Sequence, residues 1–526
     1  MQCKIDDLPD ELLEYILSLV PPYKTLEACK SVCRRWKRTT EVVIARSEAH
    51  FQRSVAVGSL LWNSLPSVHW APTIGKRHSH SACIYNNSMY VFGGCSSTWT
   101  TFNDLWRLDL DTRTWVRPVS LGSYPSPKAC ATMLYYQKSF ILFGGWSYPL
   151  PYPLHQQWRL FNELHIYSIE SNKWTTIDTL LTPPPTSAHS ASIHGNKMVV
   201  FGGVCDGESS NDIWCFNLDS YRWQKQFASG DYLRPEPRYG QSQIELGDKH
   251  LLILGGCTGP NAPMNDAWLL EMEGPLWIWK KVTMCNTEWA PTRIWCHQAC
   301  KVGNYVVVLS KNKRKAKSND MSISLKKTAC QSSLCAPSHC ESNPLFRRPE
   351  NVSTPDRDEN VNGRHGAFSR SHLQSAHTSS HMSIFSKPMS LYSDNFLSMA
   401  AFRDPPLHSN SNTFRQRQLE LLRKMEEKIK NKKAQAKPAK KTENTLSIFV
   451  LDITKVLEDC SASWIPLKQD NYSGPDERIL YSLVAGKGEL IVFGGLRKQQ
   501  TTMDWNLPKD EVYNDLHFIN PPRYDI

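Results

Sequence analysis

A glycine pair at the end of a short apolar run recurs along this chain and limits what it can fold into. The copies are Met89-Tyr-Val-Phe-Gly-Gly94, Ile141-Leu-Phe-Gly-Gly145, Val199-Val-Phe-Gly-Gly203, Leu252-Ile-Leu-Gly-Gly256 and Leu490-Ile-Val-Phe-Gly-Gly495. The first four pairs are spaced by 51, 58 and 53 residues. One strand ending in Gly-Gly is unremarkable, but a near-constant period with matching flanks defines a repeat architecture. After each pair come a polar loop, an Asn-Asp or Asn-Glu, and a second apolar run, as in Phe102-Asn-Asp-Leu-Trp-Arg-Leu108 and Asn265-Asp-Ala-Trp-Leu-Leu270. Trp115, Trp174, Trp223 and Trp279 close the first four units. Before each pair lies a small-polar run, such as Arg77-His-Ser-His-Ser-Ala82 or Ala188-His-Ser-Ala-Ser192. The apolar runs are β-branched or aromatic and too short for helices, so each unit reads as four strands.

Four strands per unit, at about 50 residues per repeat, match the kelch period and the blade of a β-propeller. Over roughly residues 59–519, leaving out one insertion, the chain resembles kelch-repeat proteins. Blades one to four span about 77–115, 128–174, 188–223 and 238–279. Blade five starts at Trp295 and the strand Tyr305-Val-Val-Val-Leu309, but Ser310-Lys311 stands where its glycine pair should be. Its third strand resumes at Leu446-Ser-Ile-Phe-Val-Leu451, and Trp464 closes it. Blade six holds Glu489 to Gly495 and Tyr513 to Ile519, with no closing Trp after it. The run Ser59-Leu-Leu-Trp-Asn-Ser-Leu65 carries an orphan Trp62, and pairing it with blade six would close a six-bladed ring without an open edge.

The first 50 residues differ. No Gly occurs from Ile5 to Phe51, and apolar positions follow helical spacing: Leu12, Leu13, Ile16, Leu17, then Leu26, Cys29, Val32, Cys33, Trp36. Leu8-Pro-Asp-Glu-Leu-Leu-Glu-Tyr-Ile-Leu17 followed by Val32-Cys-Arg-Arg-Trp36 resembles an F-box; a helical cap packed on the propeller is the alternative. The resemblance implies docking onto the Skp adaptor of a cullin–RING ubiquitin ligase, through Leu8, Pro9, Leu12, Leu13, Ile16, Leu17, Val32, Cys33 and Trp36. So small a module cannot bury both stripes internally, which favours a partner helix in a groove.

The expected organisation is an F-box over 1–50, a linker and propeller-closing strand over 51–65, propeller over 66–310, a disordered basic insertion over 311–444, and the end of blade five with blade six over 445–526. The fold class is mainly β, a six-bladed kelch β-propeller preceded by a small α-helical F-box. The net charge of +11 belongs to the insertion: residues 311–443 hold 25 Lys and Arg against 12 Asp and Glu. That segment is rich in Ser, Asn, Lys and Arg and has little apolar periodicity, so disorder is expected. Within it, Leu419, Leu422, Met425 and Ile429 fit a basic amphipathic helix, read chiefly as a marginal solvated one. Cys330, Cys335, His339 and Cys340 fit no zinc spacing. The 16 cysteines read as reduced thiols in a chain whose acidic start is unlike a signal peptide. No apolar run of about 18 residues suggests a membrane span. A cytoplasmic location is expected, with nuclear import through Lys311-Asn-Lys-Arg-Lys-Ala-Lys317 as an addition.

No P-loop, dinucleotide fingerprint or nucleophile elbow is present, and no cofactor, metal or nucleic acid is implied. Binding is the better reading. The loops between second and third strands lie on one propeller face, and the aromatic-rich run Trp146 to Arg159 is the most distinctive. Candidate substrate-binding residues are Trp99, Trp146, Tyr148, Tyr152, His155, Trp158 and Arg159. Arg77, Lys128, Arg238 and Arg478, which open four blades, are a candidate basic ring around the channel or structural donors between blades. An F-box followed by a kelch propeller resembles the substrate receptors of Skp–cullin–F-box ligases, which raise the effective concentration of substrate near the conjugating enzyme. A kelch scaffold, such as a cytoskeletal-binding protein without ubiquitin transfer, and a kelch-fold enzyme are the alternatives. Deleting residues 315–440 is expected to leave thermal unfolding of the propeller cooperative; loss of cooperativity would contradict an insertion between two strands of blade five.

Overall fold

The apolar runs pair as antiparallel strands, four to a blade in up-and-down order; Leu121–Gly122 adds a short parallel strand to blade two, and Thr283–Cys285 pairs parallel with Ser461–Ser463 to join blades four and five. The computed structural model describes residues 5, 8–65, 72–148, 159–229, 234–259, 262–296, 298–311, 445–467, 474–497 and 511–522. The insertion, its helical pattern, its Cys/His group and Lys313–Lys317 of the basic run lie outside these residues. Blade one contains Ser81–Tyr85, Ser88–Phe92, Leu105–Asp109 and Thr114–Val116. Blade two contains Thr132–Tyr136, Ser139–Phe143, Leu164–Ser168 and Lys173–Thr176. Blade three contains Ser190–His194, Lys197–Phe201, Ile213–Asn217 and Arg222–Gln226, and blade four Ser242–Glu245, His250–Leu254, Ala267–Glu271 and Trp277–Cys285. Blade five joins Ala299–Val302 and Tyr305–Lys311 to Leu446–Asp452 and Ser461–Trp464. Blade six joins Ser482–Ala485, Leu490–Phe493 and Leu516–Asn520 to Leu61–Ser64, with Trp62 opposite Ile519. The six first strands neighbour one another in turn, and blade six returns to blade one.

Among the backbone hydrogen bonds that bind the blades, two repeated sets stand out. The first is a closed ring at the start of the inner strands. Ser79, Cys130, Ala188, Gly240, Cys296 and Leu480 each donate an N–H to the carbonyl of the previous member, Ser79 donating to Leu480, at 2.8–3.1 Å. All six have positive φ, from 51° to 64°. The second set comes from the glycine pairs. Gly94, Gly145, Gly203, Gly256 and Gly495 donate to the carbonyls of Lys128, Thr186, Arg238, Ile294 and Arg77, each in the next blade, at 2.7–3.0 Å. Glycine is needed there: Gly93 and Gly94 have φ of 64° and 94°, and a Cβ on Gly93 would lie 2.5 Å from the Lys128 carbonyl oxygen. Blade five has Ser310-Lys311 instead. Its second strand continues straight through both residues, and Leu446 N–H reaches blade six by donating to Pro475 O at 2.8 Å.

The motif residues between the strands serve the same seams. The Asn of each Asn-Asp or Asn-Glu motif donates to a carbonyl leading into the next blade, Asn103 to Pro125, Asn162 to Pro183, Asn211 to Pro235, Asn265 to Thr292 and Asn514 to Ile74. The closing tryptophans pack on the residue before the previous blade's glycine pair: Trp174 on Phe92, Trp223 on Phe143 and Trp279 on Phe201, with ring centroids 5.3, 4.8 and 5.2 Å apart. Trp115 meets Phe493 across the closing seam at 5.0 Å.

The N-terminal region forms three helices, α1 (Asp10–Ser18), α2 (Lys24–Cys29) and α3 (Arg34–Val57), which belong to one compact unit with the propeller. Leu13, Leu17, Leu26 and Val43 form their core, with Val20, Cys29, Trp36 and Ile44 against it. Arg35 and Arg46 of α3 pair with Asp10 and Glu14 of α1 at 2.8 and 2.7 Å. α3 continues through the 51–57 stretch read above as linker, because nothing breaks it before Gly58, whose φ is 69°. Phe51 and Val55 on its last turns are buried with Val307, Leu309, Leu446 and Leu483 of blades five and six.

Arg238 is a test of the repeat. Its guanidinium is fully buried and binds Asp266 in two-pronged fashion at 2.7 and 3.1 Å and the Gly255 carbonyl at 3.1 Å. Arg238→Ala is expected to cost about 3–5 kcal/mol of stability by leaving Asp266 unpaired. Chemical denaturation checks this; a change below about 1 kcal/mol would contradict a structural role.

Candidate functional site

Two surfaces are candidates for binding, and strand order fixes their relation. In each blade the turn between strands one and two and that between strands three and four share one face, while the loop after the glycine pair is on the other. The helices lie on the turn face. Lys24 N–H donates to Asp111 Oδ2 at 2.7 Å, and Lys487 pairs with Glu27 at 3.1 Å; both partners are in such turns. The post-glycine loops therefore face away from the helices.

On the helical module, the stripe seen in the sequence is divided between core and solvent. Leu12, Ile16 and Val32 are 50%, 38% and 60% exposed, and Pro9 and Cys33 are exposed as well. Leu8 and Trp36 are half-buried. Leu13 and Leu17 are buried in the three-helix core, so these two support the surface from beneath and are not available to a partner as the sequence reading had them. Tyr15 and Leu19, missed in the sequence, extend the exposed face at 45% and 60%. Their positions, three residues after Leu12 and Ile16 respectively, carried the signal. A cluster of large apolar side chains left in solvent marks an interaction site.

The four cations opening the blades do not form a basic ring. Arg77, Lys128, Arg238 and Arg478 are buried and hold Asp104, Glu163, Asp266 and Asp515 of their own blades. The three arginines also donate to the first glycine carbonyl of the pair, on Gly93, Gly255 and Gly494. The charges are spent between strands, which removes them from the substrate-binding set. Burial alone would raise the Asp515 carboxyl, but hydrogen bonds from His517 and Arg478 outweigh it and bring it down to about 2. Blade five lacks the whole arrangement: buried Ile294 stands where the cation would be, beside Ser310 in place of glycine.

The loop face carries an aromatic terrace over the hydrogen-bonded ring. Trp99 and Tyr148, both half-buried, meet with centroids 5.0 Å apart, and His78 lies edge-on to Trp99 at 6.5 Å. Trp99 has a φ of 63°, a conformation a bulky side chain adopts only when its surroundings enforce it. Trp146 is buried beneath Tyr148 with Cys95 and Ala129, so it supports the terrace and does not present itself to a ligand. Arg159 is exposed, its guanidinium 5.1 Å from the Phe161 ring. Tyr152, His155 and Trp158 lie outside the described residues. Trp295, across the ring beside Tyr239 and Val204, is a further half-buried aromatic that the sequence reading did not single out.

Beneath the ring the inner strands line an open cavity of about 230 Å³, where Ser, Thr, Gln and His side chains alternate with apolar ones such as Met133 and Leu134. The imidazoles join adjacent blades: His80 Nε2 meets Ser482 Oγ and His189 Nε2 meets Thr132 Oγ1, both at 3.0 Å. Among the described residues, no group of His, Cys, Asp and Glu is gathered for a metal ion. Burial lowers His189 to about 3 and His78 to about 4.

Comparison with known proteins agrees with this geometry. Residues 5–42 match the family model described as "F-box-like", and residues 77–277 match "FBX42, beta-propeller domain". The chain thus resembles proteins of the F-box/kelch type. It resembles F-box only protein 42 in its propeller. Kelch domain-containing protein 1 of Mus musculus is 28% identical over 243 residues, covering 42% of this chain and 58% of that protein. Kelch domain-containing protein 2 of Bos taurus is 31% identical over 242 residues, covering 42% and 57%. The chain therefore spans a little over half the length of these relatives. A solved structure titled "Structure of YjhT" aligns at 17% identity with a TM-score of 0.37, over 46% of this chain and 74% of that one.

The buried imidazoles make the fold acid-sensitive. Their folded pKa values are depressed, so below the ordinary value of 6.5 the unfolded chain binds more protons. Stability is full above that value and is lost as pH falls toward about 4 and then about 3. The melting temperature is expected to drop between about pH 7 and about pH 5, with a smaller drop in His189→Gln. A flat profile would contradict neutral, buried imidazoles.

Proposed function

We propose that the chain is the substrate-recognition subunit of an Skp–cullin–F-box ubiquitin ligase. The carrying observation is the exposed apolar face of Leu12, Tyr15, Ile16, Leu19 and Val32 on an F-box-like module whose last helix is packed into a propeller. An Skp-type adaptor helix covering that face would bury side chains that water now touches, each worth about 1–3 kcal/mol when fully desolvated. The propeller then holds the target on its loop face, with Trp99, Tyr148 and exposed Arg159 as first candidates, because aromatic and Arg side chains dominate binding hot spots. Catalysis belongs to the conjugating enzyme, and this subunit contributes effective concentration. In the alternative reading, a kelch scaffold without ubiquitin transfer, the apolar face on α1 would have no such partner.

Leu12→Asp with Ile16→Asp is expected to weaken binding to a purified Skp-type adaptor by roughly 100-fold or more. Both side chains are exposed, so the melting temperature should hardly move. Calorimetric titration reads the affinity. Wild-type chain that fails to bind the adaptor, or a double variant that binds as well as wild type, would exclude this reading.

A further inference from the structure

Glu489 is 2% exposed and sits where the helical module, blade six and blade one meet. The Tyr23 hydroxyl donates to its carboxylate. Arg113, from the last turn of blade one, binds both carboxylate oxygens at 2.8 and 3.0 Å. The same guanidinium lies 3.9 Å from the Phe518 ring and 5.5 Å from that of Tyr23. Tyr23 is itself fully buried, and it packs into the core shared by blades six and one with Val484, Ile491 and Phe518. On either side stand the Lys24–Asp111 hydrogen bond and the Glu27–Lys487 ion pair. A second anchor lies at the seam of blades five and six, where Phe51 and Val55 of α3 enter the core. His50 Nε2 also meets the Pro522 carbonyl at 3.1 Å. Two separated anchors remove the rotations that a single linker would leave free.

We propose that Tyr23, Glu489 and Arg113 form a latch that fixes the orientation of the adaptor-docking face relative to the loop face, so that they are positioning residues for ubiquitin transfer. The inference rests on the ligase reading for its functional consequence, but not for the latch itself. A lone buried carboxylate would be costly, and here a phenol and a two-pronged guanidinium from two other elements satisfy it. Each of the three groups comes from a different unit, which makes the contact a junction between modules and not part of any one blade's sheet. Orientation matters in such a reaction because the acceptor lysine must be presented to a thioester held elsewhere. The latch also spans the seam at which the ring closes, next to the strand Leu61–Ser64 that completes blade six.

The test uses the full chain with site-specific labels at exposed Ser18 on α1 and Thr98 on the loop face. Distance distributions between them are measured for wild type, Tyr23→Phe, and Tyr23→Phe with Glu489→Gln. Wild type should give one narrow distribution, and the double variant one roughly twice as broad or shifted. Tyr23→Phe keeps the ring and removes only the hydroxyl, so it serves as the reading if the double variant fails to fold. In the second arm each variant is assembled with the adaptor and cullin, and the chain's own lysines serve as ubiquitin acceptors. Adaptor affinity should stay within about twofold, while the pattern of modified lysines spreads to new positions. Unchanged distance distributions in both variants would overturn the latch. A broadened distribution with an unchanged lysine pattern would overturn its positioning role. Failure of wild type to bind the adaptor would count against the ligase reading and leave the distance measurement intact.

Discussion

Six backbone hydrogen bonds close on themselves around the axis of this molecule. Each links one blade to its neighbour through a residue in left-handed conformation, and the last returns to the first. An isolated blade has exposed edges and a one-sided core, so the chain is stable only when every seam is satisfied. The glycine pairs and motif asparagines add further bonds at the same seams, and the tryptophans fill the space between sheets. The ring also consumes the polar backbone groups that would otherwise face a ligand at the centre of the loop face. What remains there for recognition is side chains, chiefly the terrace around Trp99 and Tyr148 and the rim of loops beyond it.

Blade five shows what happens when one member of this system changes. Ser310-Lys311 replaces the glycine pair, Ile294 replaces the cation, and the strand simply extends into the insertion. Its seam with blade six is supported from outside by Phe51 and Val55 of α3. The helical module is thus part of the propeller's closure as well as the bearer of an exposed apolar face, and it occupies the face opposite the loops. The exposed α1 face and the Trp99 and Tyr148 terrace thus belong to opposite faces of the propeller.

Much of the architecture was legible in the sequence because the repeat is written in residues with strict backbone demands. Gly93-Gly94 and its copies announce the strand ends of five blades, blade five shows only in the strands around Tyr305 and Leu446, and the orphan Trp62 points to the strand that completes blade six. The α1 stripe identified a helix but not its buried side: Leu12 and Leu13 are equally apolar, and only packing against Leu26 and Val43 separates them. The cations at the blade starts were ambiguous for a similar reason. Arg77 and Arg238 find their carboxylates 27 and 28 residues away, and charge in a sequence does not say whether its partner is protein or ligand. The latch was invisible, since Tyr23, Arg113 and Glu489 come from three distant stretches with no shared motif.

The surface that an Skp-type adaptor covers is decisive for the proposed ligase role. Electron cryomicroscopy of the full chain bound to the purified adaptor addresses this directly. Adaptor density is expected over Leu12, Ile16, Leu19 and Val32, with α3 continuous into blades five and six and the Trp99 and Tyr148 terrace uncovered. Adaptor density on the loop face, or an α1 face left in solvent in the complex, would contradict it.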